Sequence, residues 1–126
     1  MQLRLVIFVC AAVLLAAVFA APLVPAARFA FSAVCHQSEA RSFWWMGSPL
    51  PVCARCLGAY AGLWLAAARP LRLPRKALWA LAALNFADWL LGAAPNVPRA
   101  VLGFALAWPA ASELLAFASR ERTASN

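Results

Sequence analysis

Four long apolar runs, separated by prolines and arginines, leave this chain few ways to fold. They cover about Leu3 to Ala21, Val52 to Ala68, Ala77 to Ala94 and Arg99 to Ala118. Each is close to the roughly 20 apolar residues that a helix needs to cross the hydrocarbon core of a bilayer. Backbone groups in lipid must be satisfied internally, so runs of this kind predict helices. Only 12% of the residues are charged and 66% are hydrophobic, where soluble domains carry about a quarter charged residues. The expected fold is an all-α integral membrane four-helix bundle, a single domain over residues 1–126. A loop over about 22–51 joins the first two helices.

Charge orients the bundle. The formal net charge is +7, but no basic stretch is interleaved with aromatics as a nucleic-acid surface would be, so nucleic acid is excluded as a partner. The cations fall between the apolar runs. Arg69, Arg72, Arg75 and Lys76 lie between the second and third, and a loop so rich in positive charge stays in the cytoplasm. That choice puts Arg4 and the tail with Arg120 and Arg122 on the same side, so both termini are cytoplasmic and the 22–51 loop is extracytoplasmic. Trp44 and Trp45 suit a headgroup boundary, and Gly47, Pro49 and Pro51 turn the chain back. Ser38 is placed to cap a short helix beginning at Glu39. The expected location is the inner (plasma) membrane, with the lipid bilayer as partner and a protein partner or homo-oligomer also compatible. A second reading of residues 1–20 is a signal peptide cleaved after Val18-Phe19-Ala20. Cys10, inside that run, is a small apolar packing residue.

The chemistry is concentrated between Cys35 and Tyr60. Cys35, His36, Cys53 and Cys56 include three of the four cysteines and the only histidine. Thiolate and imidazole are the ligands that zinc and softer ions prefer, and four of them make the number a closed structural site uses. Cys53-Ala54-Arg55-Cys56 is a Cys-x-x-Cys at the outer start of the second helix, where the helix terminus favours thiolate. The expectation is a Cys3His site holding zinc or another transition metal, structural or catalytic. If only three ligands bind, a position is left for water or substrate, and Asp88 or His36 is then the candidate general base. Asn85 and Asp88 share one side of the third helix. An intramembrane carboxylate needs a partner, and Asp88 has Arg55, Arg99 and the far nitrogen of His36 as options. Arg41, Arg55, Asn85, Asp88, Asn96 and Arg99 are expected to form a polar cluster around the ligands. Gly58 and Gly62 permit close helix packing, and Pro109 is expected to kink the fourth helix. No Walker loop, Gly-x-Ser-x-Gly elbow or His-Glu-x-x-His is present.

Two other functional classes fit the same residues. Cys53 and Cys56 can cycle between dithiol and disulfide, and a Cys-x-x-Cys at the outer start of helix two resembles quinone-linked oxidoreductases of the DsbB type. Those proteins carry a second cysteine pair between helices three and four, where this chain has only Pro95 to Pro98. In the third class the cluster staples the loop to helix two in a structural or partner-binding subunit.

The order Cys35-His36-Gln37, Arg41-Ser42-Phe43, Leu50-Pro51-Val52-Cys53-Ala54-Arg55-Cys56, then Gly58, Tyr60 and Gly62, resembles the family called domain of unknown function 2085. The resemblance continues with Asp88, Asn96, Arg99 and Gly103. It departs at Leu57, where a threonine is common, and around Val101-Leu102-Gly103, where a Thr-Gly pair often stands. It implies a small multi-helix membrane protein with a Cys/His cluster and brings no established activity.

Overall fold

A computed structural model describes residues 2–92 and 94–124. The elements are α1 (Gln2–Ala20), α2 (Pro25–Ser32), β1 (Trp44–Trp45), β2 (Ser48–Pro49), α3 (Ala54–Ala68), α4 (Arg75–Leu91) and α5 (Asn96–Ala124), with 3-10 turns at Ala21–Leu23 and Glu39–Arg41. The chain is mostly helical. Gln2–Leu23 and Asn96–Glu121 are long and apolar enough to cross a membrane. At 1.5 Å rise per residue, the 15 residues of α3 and 17 of α4 reach only about 22 Å and about 25 Å.

The boundaries differ from expectation where caps and breakers decide them. α4 stops at Leu91 because Gly92 adopts the left-handed conformation (φ 62°) and donates its N–H to the Asp88 carbonyl, the usual glycine ending of a helix. The expected end at Ala94 therefore overshoots, and Ala93 lies outside the described residues. α5 starts three residues earlier than expected, at Asn96 with Pro98 in its first turn, and runs through Pro109 to Ala124. The Ser-Arg-Glu-Arg-Thr stretch read as a tail contains neither proline nor glycine and continues the helix. α3 begins at Ala54, with Cys53 as its N-cap residue.

The loop before α3 is the larger correction, because it folds. α2 begins with proline at its first position, which suits a helix start, and Cys35 donates its N–H to Phe31 just past the helix end. Ser38 precedes the 3-10 turn as foreseen, but its hydroxyl makes no cap; its carbonyl instead accepts from the Ser42 hydroxyl at 2.9 Å. β1 and β2 form a hairpin whose two turn residues, Met46 and Gly47, both have positive φ (50° and 78°). That is the backbone of the mirror-image turns that match strand twist. Trp45 meets Phe19 of α1 edge-on, with ring centroids 5.7 Å apart. Val18, Phe31, Cys35, Leu50 and Val52 form one buried cluster, which seats the loop on the end of α1 and the start of α3.

α3 is the central helix, packed along α5 on one side and α1 on the other, while α4 touches α5. On α4 the buried residues are Asn85 and Asp88, whereas Trp79, Leu84, Phe86, Trp89, Leu90 and Leu91 are exposed. A helix polar inside and apolar outside suits lipid as its solvent.

Candidate metal centre

Two chain segments, the stretch just after α2 and the start of α3, converge at the N-terminal end of α3. The Sγ atoms of Cys35, Cys53 and Cys56 all lie within 4.8 Å of one another, and those of Cys53 and Cys56 are 3.4 Å apart. Thiolates about 2.3 Å from a tetrahedral zinc lie roughly 3.8 Å from one another, so the donor set fits such an ion. The four cysteines are free thiols, and 3.4 Å is well beyond the ~2.05 Å of a disulfide. Cys35 Sγ accepts a hydrogen bond from the Cys53 N–H at 3.1 Å, a contact that stabilises charge on sulfur. At the N-cap of α3, Cys53 has its pKa lowered to about 5. The first cause is the Cys56 thiol beside it, with burial opposing and the Cys56 N–H and Cys35 adding to the lowering.

Next to the sulfurs is a pocket of about 360 Å³ whose walls include His36, Arg41, Arg55, Trp89 and Arg99. Two of these arginines, Arg55 and Arg99, belong to an ion-pair cluster. Asp88 binds Arg55 directly, and Arg99 donates to it from Nε at 3.1 Å and from Nη2 at 3.4 Å. Arg99 Nη2 also donates to the Gly92 carbonyl at 3.0 Å, and the Ala94 N–H reaches Asp88 Oδ1 at 3.3 Å. One turn away, Asn85 Nδ2 donates to the Leu81 and Leu102 carbonyls at 3.0 Å each, joining α4 to α5. Asn96 Nδ2 donates to the Ser42 carbonyl at 3.0 Å, joining α5 to the loop.

Residues 35–113 match the family described as "Predicted membrane protein (DUF2085)". The chain belongs to this family. The matched span of this DUF2085 protein begins at Cys35 and contains all three clustered cysteines. An uncharacterized protein of Methanocaldococcus jannaschii, MJ1492, is 48% identical over 33 residues, which are 26% of this chain and 21% of that protein. No solved structure matches.

In this DUF2085 protein the expected site residues separate into two groups. The three cysteines come together at their sulfurs. His36 is exposed on the rim of the same pocket and is not among the three mutually close ligands. The chain turns sharply just after it, where Gln37 has a positive φ of 49° and its amide binds the Arg28 carbonyl. Asp88 is taken up by Arg55, Arg99 and the Ala94 N–H; among the described residues His36 is not one of its partners. Sequence reasoning missed Gly92 and Ala94, whose backbone completes the Asp88 cluster, although a glycine after an apolar helical run is a recognisable stop. It also missed the contributions of Val34 and Trp89 to the pocket wall, which no local pattern encodes.

Proposed function

We propose that this membrane protein holds a thiophilic metal ion, zinc foremost, through Cys35, Cys53 and Cys56 at the extracytoplasmic end of a multi-pass bundle. The observation that carries the reading is the mutual approach of three sulfurs to within 4.8 Å. A second support is the Cys53 N–H donated to Cys35 Sγ. His36, next to Cys35 and lining the same pocket, is the candidate for the fourth place. With all four ligands the site is structural and ties the α2 loop to α3. With three it keeps a position for a small molecule from the pocket, and the metal then supplies Lewis acidity. Asp88 serves this site by fixing Arg55 and Arg99.

The orientation follows from the basic α3–α4 connection, Arg69 to Lys76, which the positive-inside rule assigns to the cytoplasm. α3 and α4 complete the span together with α1 and α5.

The test is metal analysis of detergent-purified protein. About one zinc per chain is expected, lost in Cys53→Ser and reduced without being abolished in His36→Ala. Wild-type protein free of metal would refute the reading. Thiol redox exchange is favoured by one specific observation, the lowered pKa of Cys53 beside a second thiol. It predicts a Cys53–Cys56 disulfide in protein isolated without reductant and two missing thiols on counting.

A further inference from the structure

The pocket beside the sulfurs carries more positive charge than its surroundings balance. Arg41, Arg55 and Arg99 all line it, and Asp88, behind the last two, binds Arg55 and Arg99. Among the described residues Asp88 is the one carboxylate paired with these arginines, so three guanidinium groups are set against a single carboxylate. One guanidinium is unused. Arg41 lies over Gly92, where an added Cβ would sit 2.8 Å from Nη2, and among the described residues its guanidinium has no hydrogen-bond or ion-pair partner. Arg55 also lines the pocket, with its side chain 22% exposed and its Nη2 on Asp88. The pocket, at about 360 Å³, is larger than a bare inorganic anion requires and falls in the range of small-molecule sites. Part of its wall is apolar, from Val34 and Trp89, both largely exposed.

We propose that this pocket binds an amphiphilic oxyanion, a phosphate or carboxylate head held by Arg41 and Arg55 with its apolar part against Val34 and Trp89. Guanidinium forks match such heads in two-point geometry and bind them more strongly than neutral donors do. The head can belong to an anionic lipid, reached past Trp89, or to a soluble organic acid. The inference goes beyond the metal site and does not require it.

Two arms test it on the full chain in phosphatidylcholine nanodiscs. Hexyl phosphate is titrated as the soluble probe, and phosphatidic acid is built into the nanodisc as the lipid probe, with thermal stabilisation read in both. Saturable stabilisation is expected in at least one arm, and the arm that gives it names the source. Arg41→Gln should raise the apparent Kd at least tenfold. Arg72→Gln, an exposed cation at the opposite end of α3, should change it less than twofold. Stabilisation in neither arm, or stabilisation weakened equally by both substitutions, would overturn the proposal. Zinc measured on the same samples separates the two claims: Arg41→Gln should keep its metal while losing the anion. Metal-free wild type that still shows Arg41-dependent stabilisation would remove the metal reading and leave this one standing.

Discussion

Along α3, helix α5 approaches so closely that a methyl group at Gly58 would lie 2.0 Å from the Ala100 carbonyl oxygen, and one at Gly103 would lie 2.3 Å from that of Arg55. Along α4, the same helix is held by Asp88 on Arg99 and by Asn85 on the Leu102 carbonyl. The first seam is backbone against backbone, with small buried residues at Gly58, Gly62, Ala66 and Ala67. The second buries polar groups on a helix otherwise clad in exposed tryptophan, leucine and phenylalanine. In lipid an apolar side chain gains little by moving from solvent to protein, so helices associate through close packing or polar contacts. This protein uses one for each seam. The close-packed seam fixes α3, and with it Cys53 and Cys56; the polar seam brings Arg99 to the pocket those cysteines share.

The comparison is broken most severely at Gly58. Gly58→Ala should destabilise the protein by about 3 kcal/mol or more in thermal or denaturant unfolding, because the clash is with backbone and only helix separation relieves it. A near-neutral effect would mean the seam is looser than described. At the polar seam, Asp88→Asn leaves Arg55 and Arg99 without their counter-charge, with side chains 22% and 4% exposed. A loss of about 3 kcal/mol is expected, and adding Arg99→Gln should recover part of it. No recovery would show that the carboxylate acts through something other than these arginines.

The pH response sharpens the sulfur end of the close-packed seam. The folded pKa of Cys53 is depressed from 9.0 to about 5. Its thiolate therefore contributes stability that is present above the unfolded value and is lost as pH falls toward 5. In metal-stripped protein, alkylation of Cys53 should stay near its plateau rate from pH 8 to pH 6 and fall by half near pH 5. A midpoint near 9 would contradict that electrostatic setting. The smallest effect is expected at Asn96→Ala, which removes the amide donated to Ser42 and should cost about 1 kcal/mol, leaving metal content unchanged.

Helices α1 and α5 were legible because their apolar runs are long, and Asn85 and Asp88 because polar residues three apart in an apolar helix must face inward. Gly58 and Gly62 carried the close seam in their spacing, while Gly103, the reciprocal small residue on α5, had no such pair to mark it. The folded loop was not legible. Pro25 to Ser32 lies in the stretch read as a loop joining two helices, and its helix packs through Phe31 and Cys35 with Val18 and Val52 from distant segments. The metal-type residues announced themselves by type. His36, however, lines the pocket without joining the three close sulfurs, and the left-handed turn that follows it at Gln37 has no glycine to announce it.

The central claim is that Cys35, Cys53 and Cys56 together bind one metal ion. X-ray absorption at the zinc edge of detergent-purified protein tests it most directly. The account predicts three sulfur neighbours at about 2.3 Å and one lighter ligand, with the sulfur shell reduced in Cys35→Ser. A shell of nitrogen and oxygen alone, or protein with no zinc edge and a Cys53–Cys56 disulfide, would contradict it.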